Sequence, residues 1–223
     1  MHHCDMIGAM QRWLPSMVML FVTAFAWSAE YQARIVKVLP IESYPARATV
    51  QGITVAADPY PTDEKSFTAF DVKDLNSRGY FPVHVIIRNS TENFLSLKTR
   101  NVVLVTATGQ ELYTTSATVV VGDLFKGGQA TSMKKGSPLL DFTEKELTSR
   151  QITPEKVIDG FLFFYSSEPK KNLFVGSTLR IPQITDDDNR RPIGPFLVPL
   201  DLALKADSNP AAKGQNPQPI RPR

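Results

Sequence analysis

The chain has 223 residues, 42% hydrophobic and 21% charged, with a formal net charge of +3. That is enough apolar material for one substantial core plus appendages, and too mild a charge to imply a nucleic-acid partner. A single cysteine excludes a disulfide framework within the chain, and beyond residue 28 one histidine and no cysteine remain, too few for a Cys/His zinc site of about three or four ligands.

Residues 1 to 28 read as a secretory signal peptide. Arg12 precedes an uncharged apolar stretch, Leu14 to Trp27, and Ala26-Trp27-Ser28 supplies a small-x-small cleavage site, with Ala24 and Ala26 offering a second. The stretch falls short of the ~20 residues that span a bilayer. Cleavage is therefore expected over retention as an anchor, leaving no integral span in a chain that is exported to the periplasm or beyond the cell. Cys4 lies ahead of the apolar stretch rather than directly behind it, which argues against lipid anchoring. Beyond the leader the chain keeps no Cys, no Trp, one Met (Met133) and one His (His84).

Next come short runs rich in β-branched and aromatic residues, separated by turn residues, the pattern of an all-β domain. Eight strands are expected, at residues 33 to 39, 48 to 57, 81 to 89, 93 to 97, 101 to 107, 111 to 121, 160 to 166 and 172 to 181. "NSTEN" (89 to 93) can close a hairpin through Asn side chains, and Gly109 supplies a positive-φ turn, so residues 81 to 113 are expected to form a three-strand meander. Two short inserted helices are expected. "PTDEKSFTAFD" (61 to 71) offers Thr62 as N-cap with Asp63 and Glu64 in the first turn. "DFTEKELTSR" (141 to 150) offers Asp141 and Glu144 as a capping box, with Glu146 close behind.

In "PVHVIIRN", Val83, Val85 and Ile87 share one face and His84, Ile86 and Arg88 the other, a mixed face that predicts a half-exposed histidine. In "ITPEKVIDGFLFF", Pro154 and Gly160 bracket a loop feeding a strand apolar on both faces, Phe161, Phe163 and Tyr165 against Leu162 and Phe164. Such a strand is central in its sheet. Residues 122 to 140, with four glycines and the Lys134-Lys135 pair, read as a long loop. "TDDDN" (185 to 189), beside Arg190 and Arg191, reads as a solvated linker, since it lacks the alternating spacing and central glycine of a calcium loop. "IGPFLVPLDLAL" (193 to 204) is apolar enough to dock as an extended segment or final strand, and the proline-rich residues 205 to 223 are expected to be disordered.

"GITVAADPY", "FTAFD", "GYFPVHVIIRNSTENFLSL" and "DFTEKELTSRQITPEKVIDGFLFF" resemble an uncharacterised family of secreted bacterial proteins and, more distantly, secreted immunoglobulin-like domains of unknown function, over about residues 50 to 182. The resemblance implies an immunoglobulin-like β-sandwich in the cell envelope and carries over no catalytic residue.

No reactive constellation emerges. His84 lacks a GxSxG nucleophile elbow, no phosphate-binding glycine loop occurs, and Asn89-Ser90-Thr91, although a glycosylation sequon, is explained by turn chemistry. Catalytic, cofactor-binding and metal residues are each expected to be none. The resulting expectation is a leader (1 to 28), an all-β immunoglobulin-like sandwich (29 to 204) and a tail (205 to 223), acting as a non-enzymatic exported module that binds a protein or envelope component. The alternatives are a membrane-tethered assembly factor with an uncleaved leader and a carboxylate-based envelope hydrolase.

Overall fold

The structure, a computed structural model, describes residues 31 to 125, 132 to 168 and 173 to 208. The expected leader, most of the C-terminal tail, and part of the 122 to 140 loop lie outside the described residues. In chain order the strands are β1 (Arg47–Val50), β2 (Ile53–Pro59), β3 (Tyr80–Asn89), β4 (Leu95–Leu97), β5 (Val103–Val105), β6 (Glu111–Thr115), β7 (Arg150–Ile152), β8 (Val157–Tyr165), β9 (Thr178–Ile181), β10 (Ile184–Asp186), β11 (Arg191–Ile193) and β12 (Phe196–Pro199). The helices are α1 (Asp63–Phe70), α2 (Ala117–Leu124), α3 (Pro138–Lys145) and α4 (Asp201–Asp207). The chain is thus mostly β, in two antiparallel sheets. The larger has the order β1-β2-β3-β8-β6-β5-β9-β12 and the smaller β11-β10-β4-β7.

β8 is central, as its sequence predicts. Leu162 and Phe164 enter a core shared by both sheets, while Phe161 and Phe163 enter a second core under the helices. Its partner β3 runs beside it from Tyr80↔Tyr165 to Arg88↔Val157, and Val83, Val85 and Ile87 fill the first core as expected. The large sheet then curls until β12 packs against β1 and β2. The small sheet closes the remaining side with Leu95, Leu97, Ile152, Ile184 and Ile193.

Several local expectations give way to longer-range packing. Residues 33 to 39 form no strand; they cross the helices as an extended strap, with Tyr31 and Val36 packed on the second core. The expected strand at 48 to 57 is a hairpin, because Gln51 (φ 48°) and Gly52 (φ 81°) make a two-residue turn with positive φ at both positions. The expected strand at 111 to 121 stops at Thr115. Ser116 caps α2 by accepting from the Val119 N–H, and Ala117, Val120, Val121 and Leu124 form one buried helical stripe. Among the described residues there are four α-helices where two are expected.

The Thr62 cap of α1 is confirmed, its hydroxyl accepting from the Lys65 N–H. The Asp141 capping box is not: α3 starts earlier, capped by Ser137 with Pro138 in the first turn, where a missing N–H costs nothing. Asp141 sits buried inside that helix, accepting from Lys145 and from the Tyr31 hydroxyl at 2.5 Å. The 81 to 113 meander also fails. Asn89 shapes its turn, accepting from the Thr91 N–H and hydroxyl, but its amide also donates to Asn93, Ile152 and Thr153 carbonyls. Those bonds steer β4 out of the large sheet and into the small one, between β10 and β7.

The segment at 193 to 204 docks as expected, through β12 and the start of α4. Met133 lies on the surface, 57% exposed.

Gly160 belongs inside β8 rather than to a loop. A Cβ there would sit 2.7 Å from the Leu147 backbone nitrogen, whose N–H donates to the Phe161 carbonyl. Gly160→Ala is expected to lower stability by about 1–3 kcal/mol through overpacking against backbone, read as a drop in the urea midpoint. Val119→Ala, at an exposed site on α2, is expected to stay within about 0.5 kcal/mol of wild type.

Candidate functional site

His84 is where sequence attention falls, and the structure buries it. Its strand register places Asp58 of β2 on one side and Phe161 of β8 on the other. The imidazole stacks on the Phe161 ring at 4.7 Å and 17°, and Nε2 donates to Asp159 Oδ2 at 2.9 Å. Only 2% of the residue is exposed, not half, because the face opposite the main core is also covered: Phe161, itself buried in the helical core, lies flat on the imidazole. The hydrogen bond from His84 holds the Asp159 carboxyl below the ordinary carboxylate value, against the opposing effect of its partial burial. Alongside, Lys65 bridges Asp58 and Asp207, each at 2.7 Å. This row joins β2, β3, β8, α1 and α4, and each acid in it answers a base.

The acidic stretch at 185 to 189 is a hairpin rather than a linker. β10 and β11 pair across it, and Asp186 is fully buried. Its carboxylate accepts from Asn93, from the Asn189 N–H and side chain, and from Arg191. Asp187 accepts from Ser96 and Gln151, and Asp188 from the Phe94 N–H. These carboxylates tie β4 to β10, which is why a polar run folds there instead of staying solvated. Burial pushes the Asp186 pKa up, but the hydrogen bonds outweigh it and hold the group at about 2. Among the described residues no cluster of three His, Cys, Asp or Glu is placed to hold a metal ion.

Two features of the described surface stand out. The outer face of the large sheet is covered by α1, α2 and α3 over β3 and β8, where Tyr60, Phe70, Phe142, Phe161 and Phe163 pack together. The core under α1, α2 and α3 takes no residue from β6, β5, β9 or β12, and α4 contributes Ala203 to the core between the sheets instead. On that open half Tyr113 is 61% and Leu197 53% exposed, and Tyr165 beside them is 46% exposed. Arg180 pairs with Glu111 at 2.6 Å across the same face.

At the end of these strands lies a pocket of about 280 Å³. Its walls are the β5–β6 turn, the residues following β8, and the turn leading into β9. Gly79 packs behind the lining residue Ser166: with φ 89° and a would-be Cβ 2.4 Å from the Ser166 oxygen, only glycine fits there, and its carbonyl accepts from the Ser166 N–H. Sequence inspection pointed to neither feature, because both are assembled from segments far apart in the chain.

The described residues define a mostly β domain of two antiparallel sheets in which α1, α2 and α3 cover one half of the outer face. No family model and no curated protein matches the chain. Three solved structures overlap it partially. They are the yjhA protein of Bacillus subtilis (11% identity, TM-score 0.36, 62% of this chain and 79% of that one), the ycdA protein of Bacillus subtilis, described as a candidate lipoprotein (13%, 0.37, 73% and 42%), and a functionally unknown protein of Listeria monocytogenes (13%, 0.33, 68% and 81%). Overlap at these TM-scores neither names the fold more finely nor transfers a role. No helix among the described residues is long and apolar enough to cross a membrane.

Because the folded Asp186 pKa is depressed, its contribution to stability is present above the unfolded value of about 3.9 and fades as pH falls toward about 2. Asp186→Asn is expected to lower the thermal midpoint at pH 7, with the gap from wild type narrowing between about pH 4 and pH 2. A gap of constant size over that range would show that the carboxylate's charge is not what holds β4 to β10.

Proposed function

We propose that this chain is an exported, non-enzymatic module with an immunoglobulin-like arrangement of its sheets, and that it holds a protein or cell-envelope component on the open half of its outer face. The observation that carries this reading is the pairing of a helix-covered half with an uncovered one that exposes Tyr113, Leu197 and Tyr165. Exposed apolar and aromatic side chains gathered on one face are the usual mark of an interaction surface. Two further points support it. Asp58, Asp71, Asp141, Asp159 and Asp186 are each bonded to a basic or amide partner, which suits structural anchors better than a pair of carboxylates poised for glycoside hydrolysis. The leader composition of residues 1 to 28 supports export.

The test uses exported protein and a double variant, Tyr113→Ser with Leu197→Ser. Both side chains are exposed, so the variant is expected to keep the wild-type unfolding midpoint and to retain its envelope partner at least about tenfold less tightly, since truncated anchors often cost more than 1 kcal/mol each. Equal retention by variant and wild type would remove this face from consideration.

A further inference from the structure

We propose that residues 31 to 39 form an exchangeable arm, and that the groove they fill across the helical layer takes the same arm from a second copy of this chain, giving a two-fold dimer. The proposal concerns the helix-covered half of the molecule and is independent of the reading of the open sheet face.

The folded chain shows what the groove accepts. Tyr31 packs edge-on against Phe125 at 5.9 Å and tilted against Phe142 at 6.5 Å, and its hydroxyl donates to Asp141. The Gln32 N–H donates to Asp71 Oδ2 at 2.8 Å, and the Arg34 guanidinium donates to Asp71 Oδ1. That guanidinium also lies 4.6 Å over the Phe67 ring, and Val36 completes the contact with the second core. The groove therefore reads an extended segment with a tyrosine at one end and an arginine three residues on. The sequence that meets this requirement is the strap itself, and every copy of the chain carries it.

The attachment is built to come away as a unit. Among the described residues no backbone–backbone hydrogen bond ties residues 31 to 39 to the body, so the strap lifts without opening a ladder. Lys37, Val38, Leu39 and Pro40 follow as consecutive exposed residues, with the Leu39 N–H donating to the Tyr44 hydroxyl at 3.0 Å. Pro40 is extended, at φ −52° and ψ 137°, and a residue ahead of proline is confined to extended backbone as well. The linker is a stiff span with no tight turn to undo. Removal of the leader after residue 28, which its composition predicts, makes the strap a terminal arm that crosses to a neighbour without threading. Exchange of an identical element keeps every groove contact, which makes it a low-cost route to a dimer.

Exposed apolar side chains give the exchange its direction. Ile35 is 97% exposed, and Val38 and Leu39 are exposed beside it. While the strap lies on its own body these three stay in water. A strap that crosses to a second copy runs between the two bodies, where the same side chains leave water. That burial is gained in the dimer alone, whereas the Tyr31 and Arg34 contacts are common to both forms.

The test is light scattering of the size-separated exported protein. Wild type is expected to be a monomer–dimer mixture whose dimer share rises with concentration. Ile35→Ser with Leu39→Ser is expected to weaken the dimer at least about tenfold and to keep the monomer's unfolding midpoint, since both side chains are exposed there. A charge exchange then separates exchange from any other pairing. Arg34→Asp sets two carboxylates together and Asp71→Lys two cations, so neither variant is expected to dimerise alone. Mixed one to one, each strap meets an opposite charge only in the groove of the other variant, and a heterodimer is expected. Asp71 ends α1 in the left-handed region. Should Asp71→Lys not fold, Asp71→Asn, which that backbone accepts, takes its place, because its arm regains a carboxylate only on the Arg34→Asp protein. A wild type that stays monomeric at every concentration, or no heterodimer on mixing, would overturn the proposal. So would a dimer that is lost with Tyr113→Ser and Leu197→Ser but kept with the strap variants, which would place the pairing on the sheet face instead.

Discussion

The long antiparallel contact between β3 and β8 is the constraint on which everything else is hung. It is nine residue pairs long and buried on both faces, so its side chains must satisfy two cores at once. Val83, Val85, Leu162 and Phe164 commit one face to the interior between the sheets; Phe161 and Phe163 commit the other to the helices. Burying each such side chain stabilises by roughly 1.5–3 kcal/mol, and a slip of one residue would exchange the two sets. The helical layer follows from that geometry, because a sheet strand with aromatic residues on its outer face cannot be left to water. The strap at residues 31 to 39 follows in turn, as Tyr31 closes over Phe125 and Phe142.

Ionisable groups are used as fasteners between elements. Asp159 receives His84 across a strand pair, Asp186 joins β4 to β10, Lys65 joins β2 to α4, and Asp141 joins the strap to α3. Breaking one partner of a buried pair is costly because the other is left uncompensated. That cost falls mainly on Asp141 and Asp186, whose carboxylates are buried, and less on the half-exposed Asp159 and Asp207. Elsewhere on the sheet, Thr106, Thr108, Gln110, Ser166 and Ser167 line the pocket, and Tyr113 and Tyr165 are exposed.

What could be read from the chain follows the range of each interaction. "GFLFFY" announces a two-faced central strand, alternation in "PVHVIIRN" sets the core residues, and Thr62 followed by Asp63 and Glu64 marks the start of α1, all signals carried within a few residues. Val119, Val120 and Val121 read as strand because of their branching, although the buried positions at 117, 120, 121 and 124 follow the helical period. Ser137-Pro138 carried a start signal for α3 that the Asp141–Glu144 spacing outweighed. Asn89 was rightly placed in a turn, but its bonds to Ile152 and Thr153 come from more than sixty residues away, and they decide which sheet β4 joins. The burial of His84 and the open tyrosine face depend on what lies above each strand, which no local pattern records.

The exposed placement of Met133 has a chemical side. Past residue 28 the chain contains no cysteine and no tryptophan, and Met133 is its sole sulfur atom. Both cores are built from aliphatic and phenyl groups alone, with tyrosines at their margins. Oxidants that convert methionine to its sulfoxide would therefore add polarity to a side chain already in water and leave the packed interior untouched. Thiol–disulfide balance has no purchase on the described domain at all. It is stabilised wholly by noncovalent contacts, and those contacts are indifferent to the redox state of its surroundings.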